Sequence, residues 1–196
     1  TAIRFAARDT NLYSFERLDG GVLPAVTPGA HISLMLPSGV ERQYSLTNYG
    51  SDLNEYVVGV KLDPNSRGGS VFMHNQLRVG TKIAIEGPIN NFPLVEDAEH
   101  VVLVAGGIGV TPIYCMAKRL IELGRSWELH YSTRSREDAA FLKELEQHEQ
   151  VHFHFDDENA GKFLDVSGIV GKAPPNAHLY CCGPKPMLDV FEKACA

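Results

Sequence analysis

The residues from Val101 to Pro112, Val-Val-Leu-Val-Ala-Gly-Gly-Ile-Gly-Val-Thr-Pro, most narrow what this chain can fold into. The apolar run is too short for a helix on its own and is rich in β-branched residues. It is predicted as a buried strand of a parallel sheet. A helix should follow the glycines, with Thr111 as its cap and Pro112 at its first position. Strand, glycine turn and helix together aim free backbone N–H groups at an anion, and a phosphate-bearing nucleotide is the first ligand this implies. The turn departs from G-x-G-x-x-G, because after Gly107 and Gly109 position 112 is proline. That excludes an ordinary Rossmann dehydrogenase, while a tight turn in any α/β domain still fits the turn taken alone.

A chain of 196 residues holds one large domain or two small ones with real cores. The net charge of −6 argues against a nucleic-acid partner, which needs a basic surface. No apolar run approaches the roughly 20 residues of a membrane span, and the start carries no signal-peptide pattern. Thr1 and Ala196 read as trimmed ends, so further features are expected outside them. Cys115, Cys181, Cys182 and Cys195 show no C-x-x-C spacing. They predict neither a disulfide scaffold nor a zinc site, and they fit a reducing cytoplasm. The four-cysteine spacing of a plant-type iron–sulfur cluster is also absent from these residues.

Two halves differ in pattern. Up to about Glu96, runs with β character (Gly29–Leu36, Arg42–Thr47, Glu55–Leu62 and Lys82–Glu86) alternate with turn signals, which suggests an antiparallel barrel or sandwich. From His100 onward strands and helices alternate. Strands are predicted at Val101–Ala105, Trp127–Ser132, Val151–Phe155 and His178–Cys181. Helices are predicted at Pro112–Leu123, Glu137–Glu146 and Pro186–Ala194. The fold class is therefore an antiparallel β-barrel domain over 1–96 followed by a parallel-sheet α/β domain over 97–196.

Chemistry-bearing residues cluster in both halves. In Arg42-Gln43-Tyr44-Ser45-Leu46, alternation puts Arg42, Tyr44 and Leu46 on one face and Gln43 and Ser45 on the other. A guanidinium suits phosphate, an aromatic ring suits stacking and a hydroxyl suits a ring nitrogen. Gly59, Val60 and Lys61 precede Ser66-Arg67-Gly68-Gly69-Ser70, where paired glycines allow close backbone approach and an anion nest. Ser70 is expected to cap a helix starting near Val71. A strand with an exposed face and a solvated loop are the plain alternatives for these two segments.

Arg-x-Tyr-Ser in a barrel, then Gly-Gly-Ser, then Ala-Gly-Gly-Ile-Gly-Val-Thr-Pro, then Cys-Gly-Pro is an order that resembles the ferredoxin–NADP reductase-like flavoproteins. Lys61, Ser66–Ser70 and Cys181-Cys182-Gly183-Pro184 look most like the phthalate dioxygenase reductase branch, which includes reductase components of Rieske oxygenases and vanillate demethylases. The resemblance spans nearly the whole chain. It implies a flavin barrel followed by a nicotinamide domain. Arg42 would hold the flavin phosphate, Tyr44 would pack on the isoalloxazine and Ser45 would sit near its N5, with Gln43 in the same strand. Gly59, Val60 and Lys61 would line the ring, and Gly68, Gly69 and Ser70 would cradle the phosphate. Thr111 would lie where the two domains meet over the flavin. Gly106, Gly107 and Ile108 would approach the pyridine nucleotide. Cys182, with Gly183 and Pro184, would stand by the reacting nicotinamide carbon, and Ser45, Thr111 and Cys182 are thereby the catalytic candidates. Ser132, Thr133 and Arg134 would lie at the adenosine ribose. Asp156 beside that ribose favours NADH, whereas Arg134 and Arg136 would suit NADPH.

The flavin implied by this branch is FMN; FAD prevails in the wider superfamily. The implied reaction is hydride transfer from NADH to flavin, then single-electron delivery to a [2Fe–2S] centre in a C-terminal domain outside this chain or in a separate ferredoxin, serving a terminal oxygenase. A free-standing flavin or ferric reductase, and a flavin-binding module without turnover, are the alternatives. His152 and His154 share a strand face, but no third ligand is evident and no metal site is expected.

Overall fold

The structure is a computed structural model that describes residues 2–66 and 68–196; Arg67, in the glycine loop, lies outside the described residues. The chain divides into two compact units, Thr1–Leu94 and Val95–Ala196.

The first unit is built from two antiparallel three-stranded sheets. In the first, β1 (Ile3–Ala7) pairs with β2 (Thr10–Phe15), which pairs with β5 (Tyr56–Lys61). In the second, β3 (His31–Met35) lies between β4 (Glu41–Ser45) and β6 (Ala84–Ile89). Alternation along these strands turns Tyr13, Phe15, Ile32, Leu34, Tyr56, Val58 and Val60 into one shared core. The short helix α1 (Gly69–Asn75) closes that core with Met73. The chain changes sheets at the end of β4. Leu46 bridges Val58 of β5, and Thr47 N–H donates to the Val57 carbonyl. The hairpin of β1 and β2 is absent from the segments singled out by sequence, because its polar residues, Arg4, Thr10 and Asn11, blunt the apolar alternation.

The second unit is a parallel sheet in the order β10-β7-β8-β9. Its strands are β7 (Val101–Gly106), β8 (Trp127–Thr133), β9 (Val151–Phe155) and β10 (His178–Cys182). Every residue of β7 is buried, as expected for a central strand covered on both faces. Val102 and Val104 face a cluster contributed by α4 (Val166–Lys172) and α5 (Lys185–Cys195). On the opposite side α2 (Val110–Glu122) packs on β7 and β8 through Ile113, Met116 and Leu120.

Two helix expectations are corrected. The run predicted as a helix over Glu137–Glu146 is only a 3-10 turn, Arg136–Asp138, followed by a single helical turn, α3 (Leu142–Leu145). Between them Phe141 takes a left-handed backbone (φ 59) and stacks on Tyr114 with ring centroids 4.0 Å apart, so tertiary stacking wins over helix propensity. Helix α4 escaped the sequence reading because two glycines, Gly168 and Gly171, weaken its pattern; Asp165 caps it by accepting the Gly168 N–H at 2.9 Å.

Candidate functional site

In the first unit the fold brings Arg42 of β4 onto Gly69 at the start of α1. A Cβ placed on Gly69 would stand 2.8 Å from Arg42 Nε and 2.9 Å from its Cγ, so only glycine leaves room for the guanidinium stem. Arg42 Nη1 also donates to the Glu41 carbonyl at 2.8 Å. Tyr44, two residues on, is half-buried against the barrel core. Burial pushes its phenol pKa up, and the nearby Arg42 charge partly offsets that. Arg42, named from sequence in one strand motif with Tyr44, thus meets Gly69 of the separate glycine motif.

The flanking residues are placed as follows. Ser45 pairs with His31 in the ladder and is partly exposed. Gln43 is exposed opposite Ser33, on the face away from Arg42 and Tyr44. Gly59 and Val60 are buried in β5, and Lys61 ends that strand half-exposed. His74 of α1 hydrogen-bonds the Val60 carbonyl at 2.9 Å and meets Tyr13 edge-on, which fixes α1 against β5. Gly68, at φ 95, precedes α1 and is exposed. Ser70 does not cap the helix. It lies inside α1, which starts one residue earlier, and its hydroxyl accepts the Asp63 N–H at 3.0 Å, tying the loop shut.

In the second unit all the candidates fall at the carboxyl ends of the parallel strands. The chain winds outward from β7 through β8 to β9, then returns to lay β10 on the other side of β7. The β7–β10 boundary is thus a topological switch point, where open parallel sheets bind ligands. Here the two loops interlock. A Cβ on Gly109 would run into the Cys182 carbonyl oxygen and stand 2.7 Å from Gly183 N. A Cβ on Gly106 would meet Pro184 Cδ at 2.7 Å and Met187 Sδ at 2.8 Å. Gly107 and Ile108 remain on the outer side of the turn, partly exposed, and a Cβ on Gly107 would meet no atom within 4 Å. The turn therefore has a packed inner side and an open outer side. Thr111 is not the helix cap. The helix begins at Val110, and the buried Thr111 hydroxyl donates to the Ile108 carbonyl at 3.0 Å, because the turn's own carbonyl is the nearest acceptor.

Cys181 and Cys182 diverge in the expected way. Cys181 joins the Val102–Val104 cluster, and burial pushes its thiol up to about 12. Cys182 is half-buried at the strand end, and burial raises its thiol too, so it is a protonated thiol at neutral pH. Ser132 and Thr133 are buried, and Thr133 Oγ1 donates to the Ser135 carbonyl at 2.8 Å. The loops after β8 and β9 are joined by Asp156 N–H to the Thr133 carbonyl and Asp157 N–H to the Arg134 carbonyl. Among the described residues Asp156 Oδ1 is buried without a hydrogen-bond donor, 3.7 Å from His154 Nε2, which leaves acceptor capacity at the end of β9. Arg134 is exposed, and Arg136 is clamped by Glu158 at 2.6 Å while lying over the Phe155 ring. Sequence gave no sign of Glu158, since the pair depends on how two loops fold back beside each other. Met187 was equally invisible, as its contact with Gly106 joins residues far apart in the chain. Among the described residues no helix is long and apolar enough to cross a membrane.

Residues 103–193 match the family model for the oxidoreductase NAD-binding domain. The antiparallel β unit followed by this nucleotide-binding domain matches the ferredoxin reductase-like two-domain fold. Its relatives include reductase components of oxygenase systems. It is 48% identical over 201 residues to tetrachlorobenzoquinone reductase of Sphingobium chlorophenolicum, covering 100% of this chain and 62% of that protein. It is 44% identical over 187 residues to the vanillate O-demethylase oxidoreductase of Pseudomonas sp. strain HR199, covering 94% of this chain and 59% of that protein. The solved structure of phthalate dioxygenase reductase, described as modular for electron transfer from pyridine nucleotides to [2Fe–2S], superimposes with a TM-score of 0.90 at 36% identity, covering 98% of this chain and 61% of that one. The chain thus spans about three fifths of the length of these relatives. The NAD-binding domain and the ferredoxin reductase-like fold imply flavin and nicotinamide nucleotide as cofactors.

Proposed function

We propose that this chain is the NADH-oxidising, FMN-bearing part of a reductase that passes electrons to a [2Fe–2S] centre, and through it to a Rieske-type oxygenase or demethylase. The observation that carries the reading is Arg42 seated on Gly69, a cation held over a spot where no side chain can intrude. When bound, the flavin supplies the conversion of a two-electron hydride donor into single electrons.

The chain's own residues bind and orient. Arg42 holds the phosphate by charge-assisted hydrogen bonds, with Gly68, Gly69 and Ser70 forming the backbone around it. Tyr44 offers its half-buried ring as a stacking surface, and Ser45 and Lys61 border the same ring, with Gly59 and Val60 beneath it. In the second unit Gly107 and Ile108 present the open side of the turn to the pyridine nucleotide. Cys182 stands at the switch point as a neutral thiol, so it shapes the nicotinamide pocket without adding charge. Thr111 acts by holding that turn. Gly106, Gly183 and Pro184 fix the two loops against each other. Ser132, Thr133 and Arg134 border the adenosine ribose. Asp156 accepts a ribose hydroxyl, and the Arg136–Glu158 pair removes a cation from reach of an extra phosphate, which together favour NADH.

The test is the visible spectrum and the released flavin of the purified protein, followed by NADH addition without oxygen. FMN in the released fraction and bleaching by NADH are the expected results. Absence of bound flavin, with a spectrum that Arg42→Ala leaves unchanged, refutes the reading.

A further inference from the structure

The parallel ladder of β8 and β9 places three metal-ligating side chains on one sheet face, away from the nucleotide-binding ends of the strands. His130 and His152 are register partners, and Glu128 precedes His130 by two residues and so shares its face. The ligand atoms of Glu128, His130 and His152 all lie within 4.8 Å of one another. His130 Nε2 stands 3.5 Å from Glu128 Oε1, and the two imidazole rings are 5.0 Å apart. Two ligands about 2.0–2.1 Å from a tetrahedral ion are separated by about 3.4 Å, so the first pair is already spaced for one. His152 is exposed, at the open side of the group.

We infer that Glu128, His130 and His152 form a binding site for a borderline divalent cation of the zinc class. Two imidazoles and one carboxylate suit Zn2+, Co2+, Ni2+ or Cu2+ and disfavour Mg2+ and Ca2+, which prefer all-oxygen shells. Three protein ligands leave at least one position for water or an added ligand. Glu128 and His130 also line a pocket of about 470 Å³ with Lys162, Phe163 and Lys172, so that position is reachable. The pair suggested by sequence, His152 with His154, is not the one the fold joins. His154 Nε2 bonds the Lys162 carbonyl at 2.7 Å, and same-face residues along a strand are about 6.6 Å apart, farther than partners across a ladder. Of the three ligands His130 stands nearest the nucleotide end, three residues before Thr133, or about 10 Å along the strand.

The experiment is calorimetric titration of the chelator-stripped full chain with Zn2+, with Co2+ absorption as a second readout. One equivalent should bind with micromolar affinity. The Co2+ complex should show tetrahedral d–d bands without a thiolate charge-transfer band. His152→Ala, at an exposed position that leaves the fold intact, should weaken binding at least tenfold, and Glu128→Gln should do the same, while His154→Ala should bind as the parent does. Absence of binding, undiminished affinity in His152→Ala, or a thiolate band that disappears in Cys195→Ser would each overturn the site.

Discussion

Replacing Gly69 with alanine separates ligand binding from folding in the first unit. Gly69 has an ordinary helical backbone, so alanine is compatible with it and adds up to about 0.5–1 kcal/mol of helix preference. The new methyl carbon would lie 2.8–3.0 Å from Nε, Cγ and Cδ of Arg42, closer than real contacts allow. The side chain of Arg42 is flexible and gives way, moving its guanidinium off the cradle. Losing one hydrogen bond from a charged group costs about 1.5–3 kcal/mol, a weakening of roughly 10- to 150-fold. Apoprotein titrated with FMN by fluorescence quenching should show that loss. Riboflavin, which has no phosphate, should bind the variant and the parent alike. The apoprotein should melt at the same temperature as the parent or slightly higher. Equal losses for FMN and riboflavin, or unchanged FMN affinity, would refute the assignment of Arg42 and Gly69 to the phosphate.

Further outcomes follow from the second unit. Glu158→Gln should release Arg136 and raise the NADPH to NADH ratio of kcat/KM about tenfold; steady-state rates with both nucleotides check this, and an unchanged ratio removes Arg136 from the ribose end. Gly109→Ala drives a methyl into the Cys182 main chain, which cannot move aside, and should destabilise the unit by about 1–3 kcal/mol in urea unfolding. Gly107→Ala meets open space and should cost only the strain of its positive φ, about 1–2 kcal/mol, with its larger effect on nucleotide binding. Glu96 is held below its ordinary pKa of 4.5 by hydrogen bonds from Arg119. A depressed folded pKa gives stability that is complete above 4.5 and fades as pH falls through the folded value. The melting-temperature gap between the parent and Glu96→Gln should therefore shrink in acid, and a gap that widens there contradicts the pairing. Iodoacetamide at neutral pH should modify exposed Cys195 well before Cys182, whose thiol is raised by burial; peptide mass mapping reads the order.

The division into a β unit and an α/β unit was legible because hydrophobic period changes from two to alternating strand and helix near Pro93. The β7 strand was legible because a central parallel strand must be apolar on both faces. The candidate site residues Arg42, Tyr44 and Gly69 were legible as residue types, but the meeting of Arg42 with Gly69 was not, since it requires β4 and α1 to pack. Hydroxyl roles were misread at Thr111 and Ser70, because local geometry offers a Ser or Thr either a cap or a neighbouring backbone group, and only the turn decides. The broken Glu137–Glu146 helix was hidden for a similar reason, as nothing local announces that Phe141 will stack on Tyr114. The Glu128–His130–His152 group was missed because strand register is a long-range property.

The sheet change at Leu46 ties ligand affinity to the integrity of the whole first unit. One continuous segment hydrogen-bonds β3 through Ser45 and β5 through Leu46 and Thr47, while carrying Arg42 and Tyr44. Opening either sheet therefore displaces the residues we propose to hold the flavin, even where no contacting residue is altered. By linkage, bound flavin stabilises both sheets together, by about 2.7 kcal/mol at a hundredfold excess over Kd. Flavin retention thus serves as a gauge of barrel closure, and a substitution as distant as the β1–β2 hairpin registers there as faster flavin loss.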